Sequence, residues 1–246
     1  MQKLSAMPPG DKRAFYAQPE VVAAYEQQRF GSPSGSWVNE RELALIESFL
    51  PGGGQVLDLG AGTGRLSQRL LLHGYSVVAL DSSFAMLQVT GQGNVPVVQA
   101  DGFELPFQAG SFDAVAALRV AFHYANLSAL LRAVRPALRE GGVFVFDTYR
   151  WTPRSLFALD AARWGGKVFI HRPEAVEAAA EAAGFRVVGA QSAFLFSPYM
   201  YRRLPLPMVH LLARLEEAIP ARLRARVFWA LEPFSVPPRG AKRGPA

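Results

Sequence analysis

The rhythm of apolar and polar positions changes at Pro51-Gly52-Gly53-Gly54. Before that breaker the chain reads as helical pieces, 19–30 and 37–50, joined by a loop over 31–35. After it, short apolar runs alternate with amphipathic stretches. Strands are expected over 55–59, 76–81, 95–101, 112–118 and 143–147, and helices over 65–73, 83–90 and 127–139. Gly74 ends the first of these helices, and Gly141-Gly142 stops the last. Strands alternating with helices specify a parallel sheet with helices on both faces. The near-continuous apolar runs at 77–80 and 143–146 suit strands buried on both sides.

The pattern loosens after Asp147. Residues 149–167 are irregular and contain Trp151 and Trp164. An Ala-rich helix over 173–183 opens with Pro173 and is followed by Gly184. Stretches 185–191 and 193–200 read as two adjacent strands at one edge. Apolar residues at 208, 211, 212, 215, 219, 223, 227 and 231 have helical spacing, and Pro220 divides them into two helices. From Pro233 the Pro-, Gly- and Arg-rich chain predicts disorder. The expected organisation is a helical cap over 1–50, an α/β core over 51–200, amphipathic helices over 201–232 and a basic tail over 233–246.

Composition narrows the function. The 246 residues are 50% hydrophobic and 19% charged, the profile of a globular protein large enough to need neither disulfide nor metal for stability. No run of 18 apolar residues occurs, and residues 1–12 lack the apolar segment of a secretory signal, so the expected compartment is the cytoplasm. The absence of cysteine excludes zinc ribbons, disulfide scaffolds and thiol catalysis. The net charge of +6 is uneven: residues 201–246 hold nine basic and three acidic groups, whereas the first 200 are balanced. That asymmetry reads either as a solvated basic tail or as attraction to nucleic acid or an anionic membrane.

The candidate chemistry begins where the first strand runs into Gly60-Ala61-Gly62-Thr63-Gly64 and a helix opens at once. Such a loop turns sharply, leaves main chain bare to a ligand, and offers the N–H groups of a helix start. Asp81 closes the second strand, where a carboxylate can accept from both ribose hydroxyls. Asp101, followed by Gly102, closes the third, where one can accept from the amine of adenine. Asp58 lies on the first strand itself, a position suited to a cationic ligand rather than a pyrophosphate. A nicotinamide-binding loop would place its third glycine at 65, which is Arg65, and no Gly-Lys-Ser/Thr follows for a P-loop.

With these residues the chain resembles the class I S-adenosylmethionine (SAM)-dependent methyltransferases, of the broad type that includes ubiquinone and menaquinone biosynthesis enzymes. The matching segments are VLDLGAGTG (56–64), VVALDSSFAML (77–87), VVQADGFELPFQAGSFDAVAAL (97–118) and LREGGVFVFDT (138–148). The resemblance implies a Rossmann-like α/β fold, with a seven-stranded, mostly parallel sheet whose last strand is antiparallel. It implies SAM as cofactor, S-adenosylhomocysteine as product, and no metal. Asp58 and Gly60, Ala61, Gly62, Thr63 and Gly64 would hold the methionine part. Asp81 would hold the ribose, Ser82 and Met86 would flank the adenine, and Asp101 with Gly102 would read its amine. Leu118 and Arg119 would lie near the sulfonium.

The acceptor is less determined. Sulfonium methyl transfer needs alignment and dryness more than a strong catalytic signature. If a base assists, His123 is the candidate, with Tyr124 beside it; packing of the turn is the competing role. Arg119 could line a pocket for an acidic acceptor or form an ion pair. Arg29, Phe30 and Trp37 are expected in a lid over the acceptor pocket, Tyr16 in the core. Tyr149, Trp151, Trp164 and His171 could contact the acceptor or simply pack. No Asn/Asp-Pro-Pro-Tyr/Phe sequence follows the fourth strand and the body is neutral, so nucleic acid is disfavoured and a small molecule preferred. Peripheral membrane contact through helices bearing Arg222, Arg224 and Arg226 would suit a lipophilic acceptor, and the oligomeric state is open. Two further readings are a SAM-binding regulatory or assembly protein without turnover, and a nicotinamide oxidoreductase, which the loop spacing disfavours.

Overall fold

The computed structural model describes residues 18–152 and 168–234; Tyr16, Trp164 and the tail from 235 lie outside the described residues. Helix α1 spans Pro19–Phe30 and α2 spans Pro33–Glu47. The loop between them is shorter than expected. Ser32 caps α2 by accepting from Gly35 N at 3.0 Å, and Pro33 fits the first helical position, so the helix starts four residues early.

The α/β body follows: β1 (Gln55–Leu59), α3 (Arg65–Leu72), β2 (Ser76–Asp81), α4 (Phe84–Gly91), β3 (Val97–Gln99), β4 (Phe112–Ala117), α5 (Leu127–Val134), β5 (Leu138–Tyr149), α6 (Pro173–Ala182) and β6 (Phe185–Ala193). Short α7 (Pro198–Tyr201) and α8 (Leu206–Ala218) precede β7 (Arg226–Pro233). The seven strands form one sheet in the order β3-β2-β1-β4-β5-β7-β6. β7 runs antiparallel to β5 and β6, and the other pairings are parallel.

Alternation along the strands divides the core between two faces. Val56, Ala79, Ala114 and Val145 face α2 and α3, meeting Val38, Ile46, Leu66 and Leu70. Leu57, Leu80, Val115 and Phe146 face the other way, meeting Leu127, Leu131 and Val134 of α5 and Val176 of α6. α2 is therefore part of the packed body rather than a loose cover.

Three expectations are corrected. The second C-terminal helix is β7. Residues 226–231 are buried on both faces between two strands, and a run apolar on every side carries no period by which to tell strand from helix. The α/β core thus reaches to Pro233, and Arg226 belongs to its interior rather than to a basic helix at a membrane. The expected edge pair of strands is a single strand, β6. It ends at Ala193, where Phe194 takes a positive φ of 65°, and α7 follows. Finally, α5 stops at Val134; a 3-10 turn containing Pro136 leads into β5 at Leu138, before the two glycines.

Chain order proceeds outward from β1 through β2 to β3 on one side and through β4 to β5 on the other. The switch point between β1 and β4 opens a crevice at their carboxyl ends, the usual ligand position in such a sheet.

Candidate cofactor and acceptor site

The main chain leaves β1 at Gly60 and is tied down at every step. Gly60 N and Ala61 N donate to Leu80 O at 2.7 and 3.0 Å. Gly62 N donates to Asp81 Oδ2 at 2.9 Å, and Thr90 Oγ1 donates to Gly62 O at 2.8 Å. Gly60, Gly62 and Gly64 have φ of 74°, 59° and 81°. A Cβ on Gly60 would stand 2.5 Å from Val120 Cγ2, so that position is closed by packing. At Gly62 a Cβ would meet nothing within 4 Å: the loop turns a bare face to open space, where a ligand can lie against it. Gly64 then leads into α3.

Two carboxylates stand under this loop, Asp58 buried and Asp81 half-buried. Asp58 Oδ2 accepts from Ser67 N at 3.0 Å and Ser67 Oγ at 2.6 Å, which braces the first turns of α3 against β1. Burial pushes its pKa up to about 6; the Ser67 bonds and Arg65 pull it down, and Asp81 adds to the rise. Asp81 accepts from Ser83 N and Gly62 N, both at 2.9 Å, and burial raises its pKa too despite those bonds. Two desolvated acids beside a bare glycine turn make a surroundings that favours positive charge. At the ends of β2 and β3 lie Ser82 and Asp101, whose Oδ1 accepts from Phe103 N at 3.0 Å, and Met86 is buried in the first turn of α4. Gly102 is pressed against the sheet, since a Cβ there would sit 3.3 Å from Leu59 Cδ1.

α1 roofs the loop. Glu26 accepts a hydrogen bond from Thr63 Oγ1 and lies 3.7 Å from Arg65 Nε. The Arg65 guanidinium in turn lies 3.8 Å over the Phe30 ring. Glu26 has no local signal that would single it out in the sequence.

Behind the crevice is a buried ion cluster that the sequence did not disclose. Arg226 on β7 binds Asp147 on β5 through Nε and Nη2 and Glu42 on α2 through Nη1, with all three fully buried. Burial opposes the Arg226 charge, but Asp147 and Glu42 outweigh it and hold its pKa above the usual value. Burial likewise pushes Glu42 up, and Arg119, Arg226 and Arg65 outweigh that and bring it down. Arg119, at the end of β4, adopts a φ of 65° and donates its N–H to Asp147 Oδ1 at 2.6 Å. Its Nε lies 3.3 Å from Glu42 Oε1 and, among the described residues, has no hydrogen-bond partner.

Next to Arg119 a small hollow, open to solvent, lies between α1, α2 and α7. Arg29, Arg119, Tyr199 and Arg202 give it polar walls; Phe30, Val38 and Pro198 give it apolar ones. Three expected pocket residues, Arg29, Phe30 and Arg119, therefore meet in one place. The others are used elsewhere. Trp37 stacks on Tyr201 at 6.0 Å and meets Phe194 edge-on at 6.4 Å. Tyr149 is buried with its ring 4.7 Å from Phe122. His123 is half-buried in the 3-10 turn Ala121–His123, its ring 4.7 Å from Phe122, and does not line the hollow. Tyr124 packs edge-on against Phe103 at 4.7 Å, on the Asp101 side of the crevice. Leu118 lies in the core. Trp151 donates to Leu223 O at 3.0 Å, and His171 is buried beside the Ala121 and Tyr124 carbonyls. Tyr199 and Arg202 were missed, because nothing near them in sequence marks them as facing residue 119.

Residues 57–146 match the family described as "Methyltransferase domain". The chain is 32% identical over 183 residues to a ubiquinone biosynthesis O-methyltransferase of Xanthomonas axonopodis pv. citri, covering 67% of this chain and 76% of that one. It belongs to the class I SAM-dependent methyltransferases. A demethylmenaquinone methyltransferase of Corynebacterium kroppenstedtii is 37% identical over 90 residues, and the chain spans only 39% of that relative's length. It spans 41% of an uncharacterized Methanocaldococcus jannaschii protein, at 37% identity over 106 residues. Among solved structures, a SAM-dependent methyltransferase and possible histamine N-methyltransferase from Thermotoga maritima superposes with a TM-score of 0.67 at 15% identity, over 90% of this chain and 99% of that one. A Haemonchus contortus phosphoethanolamine N-methyltransferase in complex with S-adenosyl-L-methionine gives 0.65 at 20% identity, over 91% and 60%. These likenesses show the methyltransferase fold. Among the described residues, no helix of this methyltransferase-family chain is long and apolar enough to cross a membrane.

Proposed function

We propose that the protein transfers a methyl group from SAM to a small-molecule acceptor. The observation that carries this reading is the open face of Gly62 above two desolvated carboxylates, the buried Asp58 and the half-buried Asp81. It suits the amino-acid end and positive charge of SAM. When bound, SAM supplies an electrophilic methyl group on a positively charged sulfur. Everything else falls to the chain. The 60–64 loop with Asp58 would grip the methionine part. Asp81 has lone pairs beyond those used by Gly62 N and Ser83 N, and with them would accept from the ribose hydroxyls. Ser82, Met86, Asp101 and Gly102 would bracket the adenine. Leu118 and Arg119 would face the sulfonium side, next to the hollow that would take the acceptor.

Rate enhancement in this arrangement comes from alignment in a dry site rather than from a dedicated base. α1 supports it by closing over the loop through Glu26 and Phe30. His123 is supported as a turn-packing residue by its contact with Phe122. Calorimetry tests the reading: S-adenosylhomocysteine should bind in the micromolar range and NADH should not. A screen with methyl-labelled SAM against small acceptors then separates an enzyme from a SAM-binding protein without turnover. Failure to bind S-adenosylhomocysteine would overturn both.

A further inference from the structure

We propose that the outer face of α8 is a docking surface for an anionic lipid bilayer, on which the protein lies without crossing it. This surface is apart from the cofactor crevice, and its role does not depend on the methyltransferase reading. Met208, Leu211 and Leu215 are 49%, 56% and 48% exposed. Their spacing of three and four places them in one stripe along the helix. Met200 before the helix and Leu223 after it are 40% and 56% exposed. Among the described residues, five of the eleven exposed large apolar side chains thus fall within 200–223, and the other six are spread over the rest of the chain. Single exposed leucines need no explanation, but a stripe does.

Rolling the helix does not hide the stripe. Val209 and Glu216, on the inner side, are buried, and Glu216 accepts from Arg41 Nη1 and Nη2 on α2 at 3.0 and 2.7 Å. Turning the stripe inward would pull that carboxylate off its partner. Past the helix, Arg224 Nη2 donates to Ile219 O at 3.1 Å and Nη1 stands 3.9 Å from Glu216 Oε1, which holds residues 219–224 at the helix end.

Charge selects the occupant. Arg214 borders the stripe one turn past Leu211, Arg222 precedes Leu223, and both arginines are exposed. Residues 200–224 hold five arginines against Glu216 and Glu217. Glu216 is engaged by Arg41, and Glu217, two residues past Leu215, projects from the far side of the helix. Each of the three segments outside the described residues has more basic than acidic side chains. A second copy packed here about a two-fold axis would set like charges against each other. An anionic bilayer supplies negative headgroups to the arginines and, just beneath them, an apolar layer to the methionine and leucines.

The test floats the 246-residue chain with phosphatidylcholine vesicles, with and without about 30% phosphatidylserine. The protein should bind the anionic vesicles about tenfold or more tightly than the neutral ones, and added salt should shrink that difference. The double variant Leu211→Gln/Leu215→Gln should bind anionic vesicles about tenfold more weakly than the parent. Both positions are exposed, so its melting temperature should match the parent's. Arg214→Gln should weaken binding to anionic vesicles about fivefold and leave binding to neutral ones unchanged. Failure of the parent to bind anionic vesicles overturns the proposal. So does undiminished binding by the double variant, which would mean that basic segments elsewhere attract the lipid. A parent dimer in analytical ultracentrifugation that Leu211→Gln/Leu215→Gln abolishes would assign the stripe to a second copy, and likewise overturns it.

Discussion

The glycine loop and the arginine-walled hollow share a border at Arg119, yet they are assembled in opposite ways. The loop is made by consecutive residues 60–64, held by Asp81 and Thr90 from the next strand and helix. The hollow takes side chains from α1, α2, the end of β4 and α7, spread between residues 29 and 202. One grip is local and set by backbone conformation; the other exists only when distant elements are packed together. The contrast separates two tasks. What joins the two is the buried cluster Glu42–Arg226–Asp147, which fixes α2, β5, β7 and the main chain of Arg119 as one body.

The largest effect is expected at that joint. Arg226→Met would leave Glu42 and Asp147 buried without their common cation, at a cost of about 3–5 kcal/mol. Chemical denaturation measures it, and unaltered stability would show that the two halves are not held together this way. Asp81→Ala comes next. It removes the acceptor for Gly62 N and should weaken S-adenosylhomocysteine binding by about 1–3 kcal/mol. Unaltered affinity, measured by calorimetry, would show that the loop does not depend on the acid at the end of β2.

A pH series sharpens the cofactor side. The native Asp58 carboxyl keeps its proton up to about pH 6, whereas the unfolded chain releases it near the ordinary value of 3.8. Between these values the native state holds more protons, so ligand-free stability should fall as pH rises through the window, by about 3 kcal/mol. Asp58→Asn should flatten that slope and be more stable than the parent at pH 8, yet bind SAM less well. Parallel stability curves for the two proteins would refute the assignment. The affinity of the parent for cationic SAM should also fall below about pH 6, as Asp58 becomes neutral. The smallest effect is expected from Glu26→Gln, which weakens the α1 clasp on Thr63. Pairs of this exposed kind contribute under about 1 kcal/mol, so S-adenosylhomocysteine should dissociate only a few-fold faster in stopped-flow measurements.

Legibility in the sequence follows the same division. The positions of Asp58, the three glycines, Asp81 and Asp101 at or just past strand ends were readable, because strand ends are marked by short-range patterns. Arg29, Phe30 and Arg119 were readable as candidates, though not their meeting with Arg202 and Tyr199. Trp37 and Tyr149 look equally suitable in sequence, but an aromatic side chain fills a core as readily as it lines a pocket, and here both pack. Arg226 misled most. In a basic, apolar-spaced stretch it reads as a solvated helix residue, and only the partners waiting on α2 and β5 make a buried strand cation tolerable.

By itself, then, the amino-acid order determined the βαβ alternation, the glycine turn with its acids, and from these the class of cofactor. Backbone torsions and strand-end positions are properties of neighbouring residues. Tertiary structure decided that 226–233 is the antiparallel strand β7, inserted between β5 and β6, and that α2 is locked to the sheet by ions. It also decided that three arginines share one hollow. Those outcomes depend on which charges and faces meet across 30 to 200 intervening residues, and short-range pattern carries no record of such meetings.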